Sequence, residues 1–164
     1  MFRRILVPID GSPPSKRGLD EAMALAKDQT ARICLLHVID ESIVTRTFDG
    51  TTYMPAHYID DFIKTLRSGG KRLLSRAEGK ATARRIKTDT MLLETLGHRV
   101  ADVIVEQAKK WRADVIVLGT HGRRGLSRLV MGSDAELVVR EAPVPVLLVR
   151  GPVSRPPRRA RRKS

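Results

Sequence analysis

The sequence predicts an α/β protein built on a doubly wound, five-stranded parallel sheet, on three observations. Short, nearly continuous apolar runs recur along the 164 residues, as in strands buried on both faces of a parallel sheet. Segments of helical periodicity alternate with them. A glycine-rich stretch follows the fourth run and opens a helix, the place where sheets of this kind bind ligands.

The first strand is Ile5-Leu6-Val7-Pro8-Ile9, which ends at Asp10-Gly11-Ser12. Ser12-Pro13-Pro14 marks a helix start, with serine as cap and proline in the first turn. Leu19, Ala22, Met23 and Ala26 then repeat at helical spacing. Ile33 to Ile39 is the second strand and completes a β-α-β unit. Asp40 to His57 has no periodicity, and loops of that length often cover a site. Tyr58 to about Ala83 reads as a helix, weakened and open to a kink at Gly69-Gly70. Thr88 to Thr95 is a third strand, His98 to Trp111 a helix and Val115 to Leu118 a fourth strand. Ser133 to Glu141 is a helix stopped by Pro143, with Ser133-Asp134-Ala135-Glu136 spaced as a capping box. Val144 to Val149 is the fifth strand. From Gly151 the chain holds proline, arginine and no apolar run. Residues 1–150 are therefore read as one domain and 151–164 as a disordered basic tail.

Composition narrows the function classes. Hydrophobic residues make up 41 % and aromatics only 4 %, so aliphatic side chains fill the core. Cys34 is the single cysteine, which excludes an internal disulfide and fits a reducing compartment. No stretch has the roughly 20 apolar residues that span a bilayer, and the N-terminus lacks a signal-peptide pattern. The expectation is a cytoplasmic protein with no membrane association. The formal charge is +13, of which six cations lie in the last ten residues, leaving +7 for a moderately basic body.

Chemistry concentrates in Gly119-Thr120-His121-Gly122-Arg123-Arg124-Gly125 and Gly132-Ser133. Glycine lets a backbone approach a ligand, and helix N-termini present unpaired N–H groups to anions. Two readings fit the stretch: a phosphate cradle, or a surface loop ending in an ordinary helix cap. No standard P-loop or dinucleotide fingerprint is present. His37, His57, His98 and His121 lack metal-ligand spacing. Cys34 alternates with core residues and reads as an inert buried thiol. Met23, Met54, Met91 and Met131 read as packing, and Trp111 as closing its helix against the sheet.

Gly119-x-x-Gly122, nine residues and then Gly132-Ser133 resembles the nucleotide-binding motif of the ATP-binding branch of the universal stress protein family. Ile5 to Ser12, Leu36-His37-Val38 and Pro143 to Val149 are similar to that family's first strand and turn, second strand end and closing strand. The resemblance covers roughly residues 2 to 150. It implies the adenine nucleotide alpha hydrolase-like fold, with strand order 3-2-1-4-5, and ATP as ligand, accompanied by magnesium or manganese. By this resemblance Pro8, Ile9 and Asp10 line the adenine and ribose end, and Asp10 anchors the nucleotide or its metal ion. Asp10 also reads as a turn-former before Gly11. The backbone of Val38 meets the adenine edge. Gly119, His121, Gly122, Gly132 and Ser133 surround ribose and phosphates, while Arg123, Arg124 and Arg128 either neutralise phosphate or form a solvated face. Asp134 departs from the family pattern, since a carboxylate there suits a helix N-terminus but repels phosphate.

The resemblance implies a stress-response or regulatory protein that binds ATP as a ligand rather than fuel, with a homodimer joined through the last strand. One alternative is a slow ATPase or adenylating enzyme, although no positioned base and nucleophile accompany the loop. A second is a nucleic-acid-associated protein acting through its tail, whose binding to polyanions would be non-specific and salt-sensitive.

Overall fold

A computed structural model describes residues 1–43, 56–120 and 132–150. The strands are β1 Arg4–Pro8, β2 Arg32–Asp40, β3 Thr88–Thr95, β4 Val115–Gly119 and β5 Val146–Val149. The helices are α1 Pro13–Gln29, α2 Ala56–Ala83, α3 Val100–Lys110 and α4 Ser133–Glu141. All strand pairs are parallel and lie in the order β3-β2-β1-β4-β5. This is the expected doubly wound sheet and the adenine nucleotide alpha hydrolase-like fold.

The pleat explains the two layers. Successive strand residues point to opposite faces, so Ile5, Val7, Ile33, Leu35, Val115 and Val117 pack beneath α1 and α2 with Leu19, Met23, Leu74 and Ala81. The alternate set, Leu6, Cys34, Leu36, Ile116 and Leu118, packs against Ala101, Ile104 and Ala108 of α3 and Ala135 and Val138 of α4. Cys34 is fully buried. Burial, and then the Asp89 carboxylate, push its thiol up to about 12, so it is not a thiolate at neutral pH. Trp111 is buried below the Arg4 guanidinium, 4.3 Å from the ring centroid. Its indole N–H donates to Asp89 Oδ2 at 3.3 Å, which closes the amino ends of the strands.

Several boundaries differ from expectation for local reasons. α2 runs unbroken through Gly69-Gly70, because its inner face is buried in the core and tertiary packing outweighs glycine's propensity. α3 starts at Val100, after Gly97 takes φ +80 and Arg99 caps in an extended conformation. β5 begins at Val146 rather than Val144. Pro145 has no N–H for the ladder, although its carbonyl accepts from Ile116 N at 3.0 Å. The capping box is also corrected. The N-cap of α4 is Gly132, one residue earlier, so Ser133 is the first helical residue and is exposed.

Candidate functional site

The strands separate at their carboxyl ends. β1 and β4 are in register at Ile5↔Val115 and Leu6↔Ile116, yet β1 continues to Pro8 and β4 to Gly119. β1 and β2 remain paired through Pro8↔Leu36. Beyond that point β2 runs on to Asp40 with β3 alone in register beside it. Pro8, Ile9, Asp10, Val38 and Gly119 therefore lie at the carboxyl ends of β1, β2 and β4, beside the switch point between β1 and β4, where open α/β sheets bind ligands in a crevice.

The β1 side of the crevice is pinned by backbone bonds. Ile9 N–H donates to Leu36 O at 2.8 Å, and His37 Nδ1–H donates to Ile9 O at 2.7 Å. With both polar groups held, Ile9 fixes where the chain turns at Asp10. Asp10 N–H donates to Ser15 Oγ at 3.1 Å, and Ser12 N–H donates to Asp10 Oδ1 at 2.9 Å. Gly11 makes the turn at φ +82, a conformation that carries little penalty only for glycine. The turn-forming role read for Asp10 is thus real, and it orients the carboxylate.

The α1 terminus behind this turn closes on itself. Ser15 N–H donates to Ser12 Oγ at 3.3 Å and Lys16 N–H to Ser12 O at 2.9 Å. Pro13 and Pro14 have no N–H to offer. α4 differs, because Gly132 has no side chain with which to cap it. Gly132 N–H donates to Thr120 O, and Thr120 N–H donates to Val149 O, both at 2.9 Å. These bonds seat the start of α4 against the end of β4. Of the two helix N-termini beside the crevice, α4 is the one suited to an anion. Asp134 and Glu136 occupy its first turn.

Gly119 has a packing duty as well. A Cβ there would lie 2.6 Å from Pro14 C and 2.8 Å from Ser15 N, so α1 lies directly on the end of β4. Gly18 faces the same contact, its Cβ position 3.3 Å from Gly119 N. His121, Gly122 and Arg123 fall outside the described residues, as do Arg124 and Arg128.

Ser12, Ser15, Thr120 and His37 were not singled out by the sequence as site residues. His37 is buried in an otherwise apolar strand, and that placement was the available signal. Its space exists because Gly70 of α2 has no Cβ, which would stand 2.7 Å from His37 Cδ2. Farther along the same rim, Arg67 Nε and Nη2 bind Glu94 Oε1 and Oε2 at 2.6 Å each. Arg67 holds the Glu94 carboxyl below the usual range. Burial, then hydrogen bonding with Glu94, raises that of Glu41. Among the described residues no group of three or more His, Cys, Asp or Glu could hold a metal ion, and no helix is long and apolar enough to cross a membrane.

Comparison with known proteins gives one result throughout. Residues 1–150 match the profile of the universal stress protein family. Universal stress protein YxiE of Bacillus subtilis is 35 % identical over 151 residues, spanning 92 % of this chain and all of the relative. The crystal structure of a universal stress protein family member from Burkholderia pseudomallei is 33 % identical with a TM-score of 0.68, covering 89 % of this chain and 94 % of that one. Two more distant structures share the fold and carry ligands. One is a universal stress protein in complex with cAMP, 23 % identical, TM-score 0.61, covering 92 % of this chain and 98 % of that one. The other is an Arabidopsis thaliana family protein with AMP bound, 19 % identical, TM-score 0.64, covering 92 % of this chain and 93 % of that one.

Proposed function

The chain belongs to the universal stress protein family, and on that premise we propose that it binds ATP as a regulatory ligand in a cytoplasmic stress response. The observation that carries this reading is the seating of the uncapped α4 terminus on β4, through Gly132 N–H to Thr120 O, across the crevice from the Asp10 turn. Adenine nucleotides in two relatives of the same fold support it.

In this reading Pro8, Ile9 and the Val38 backbone receive the adenine end. Gly119, His121, Gly122, Gly132 and Ser133 surround ribose and phosphates, with Arg123 neutralising charge. Magnesium or manganese fits the donor set, because such ions take one or two protein carboxylates and complete their shell with phosphate oxygens and water. Asp10 would supply that carboxylate. Asp134, at the α4 terminus, sets a limit on how much further negative charge is accepted without a metal ion.

Mass spectrometry of small molecules released from freshly purified protein is expected to give intact ATP. A preparation free of adenine nucleotide that also takes none up from solution would overturn the reading. Magnesium-dependent hydrolysis at about one per second or faster, within the usual enzyme range, would replace it with an enzymatic one.

We also propose a homodimer through β5. This strand is at one edge of the sheet, and Leu147 on it is 43 % exposed. An apolar edge invites pairing unless it is covered. Light scattering at tens of micromolar should return about twice 18.3 kDa, and a monomer mass would refute the assembly. Residues 151–164 are taken as a separate basic tail that attracts polyanions without sequence preference, since they hold no aromatic side chain to stack on bases.

A further inference from the structure

The body's positive charge is not spread evenly. Residues 64–87 hold Lys64, Arg67, Lys71, Arg72, Arg76, Lys80, Arg84, Arg85 and Lys87 against the single acid Glu78, a net +8. With +6 in the last ten residues, the rest of the chain is left at −1. All nine cations are exposed. Their placement on α2 is regular: Arg72, Arg76 and Lys80 recur every four residues, and Arg84 continues the spacing just past the helix. At about 1.5 Å rise per residue they form a ridge roughly 18 Å long.

Like charges at i,i+4 oppose a helix, and elsewhere several cations are paired with an acid on their own helix. Lys110 pairs with Glu106 at 2.6 Å on α3, Arg140 with Glu136 at 2.9 Å on α4, and Lys64 with Asp61 at 3.1 Å in the early part of α2. Along the ridge the pattern stops. Arg72, Arg76 and Lys80 have no ion-pair partner among the described residues. Arg76 Nε donates to Arg72 O at 3.3 Å, and Arg84 reaches Asp20 only at 3.6 Å, with both side chains about half exposed. Small residues, Ser75, Gly79 and Ala83, flank the cations and are exposed. A Cβ at Gly79 would meet nothing within 4 Å.

We propose that this ridge is a docking surface for the sugar–phosphate backbone of a nucleic-acid duplex. A duplex carries one negative charge per about 1.7 Å of axis, so the ridge faces on the order of ten phosphates. Three features select this partner. Leu74, Ala77 and Ala81 of α2 are committed to the core, and no large hydrophobic residue is exposed between 64 and 87, so the ridge has none to place in a bilayer. The segment has no aromatic side chain, so it offers no stack for unpaired bases. Its exposed charges are cations except for Glu78, and cations of this kind read phosphate and not sequence. The basic tail cannot be its occupant, because the two repel. This surface is independent of the nucleotide crevice.

The test uses the full chain and labelled DNA and RNA duplexes of about 20 base pairs, with anisotropy followed between roughly 50 and 200 mM salt. The ridge variant combines Arg72→Gln, Arg76→Gln and Lys80→Gln. The comparison variant combines Arg158→Gln, Arg159→Gln and Arg161→Gln, which removes the same charge from the tail. The ridge variant should show a slope of log K against log salt shallower by about 2.7, from 0.9 per phosphate contact, on one duplex or both. An unaltered slope in the ridge variant, or no duplex binding by the unmodified chain, overturns the proposal. So does ridge-dependent binding confined to vesicles containing phosphatidylserine. Thermal melting confirms that the variant is folded. Should the triple variant not fold, Arg76→Gln alone is expected to flatten the slope by about 0.9, and no change overturns the proposal equally.

Discussion

Gly119→Ala is expected to destabilise the protein by about 2–3 kcal/mol, the upper part of the usual range for overpacking a tight contact. The added methyl would stand 2.6 Å from Pro14 C and 2.8 Å from Ser15 N. Both are backbone atoms, so no side-chain rotation relieves the clash and the start of α1 must lift off β4. In a domain of this size the melting temperature should fall by roughly 5–10 °C. Gly79→Ala is the matched comparison. Its Cβ would enter open space on α2, and exchange of helical glycine for alanine gains about 0.5–1 kcal/mol, a rise of roughly 1–4 °C. Differential scanning calorimetry of both variants checks the pair. A Gly119→Ala protein melting within a degree of the unmodified chain would show that α1 does not rest on β4 as described.

Gly132→Val is expected to abolish ATP binding while leaving the fold in place. Gly132 has φ −63 and ψ 144, a conformation that valine adopts freely, so the backbone is not strained. The branched side chain would instead sit at the N-terminus of α4, where the proposed phosphates approach. ATP at 100 times its dissociation constant should stabilise the unmodified protein by about 2.7 kcal/mol, seen as a rise of roughly 5–10 °C. The variant should melt at nearly the ligand-free temperature and show no rise. Equal shifts in the two proteins would remove α4 from the site. A variant already unstable without nucleotide would point to a structural duty for Gly132 beyond its bond to Thr120.

These two glycines separate roles that one motif merges. Gly119 is needed by packing whether or not a ligand is present. Gly132 is not needed by its own dihedral angles, so a loss of binding in a variant that keeps the unmodified melting temperature reports on the ligand. Asp134 lies beside it in the first turn of α4. The choice between nucleotides of different charge, with and without metal ion, should be most sensitive at that residue.

The succession of strands and helices was legible because it rests on local periodicity. Ile33 to Ile39 and Val115 to Leu118 are strands wherever the protein places them, and Ser12-Pro13-Pro14 starts a helix through its own side chains. The place of the proposed site followed from a glycine-rich stretch between a strand and a helix, which has one address in a doubly wound sheet, and the strand order came with the family resemblance. Tertiary structure decided the rest. The spacing of Ser133 and Glu136 suits a capping box, yet the N-cap of α4 is Gly132, whose N–H is tied to Thr120. Gly69-Gly70 reads as a weak point in α2, yet Gly70 is the space that admits His37, whose ring holds the Ile9 carbonyl and so fixes the Asp10 turn. Gly119 carries the mark of a ligand motif and also the contact with Pro14. Periodicity reports which face of an element is buried. Which residues meet across two buried faces depends on the angle and separation at which distant elements pack, and a single sequence does not display those.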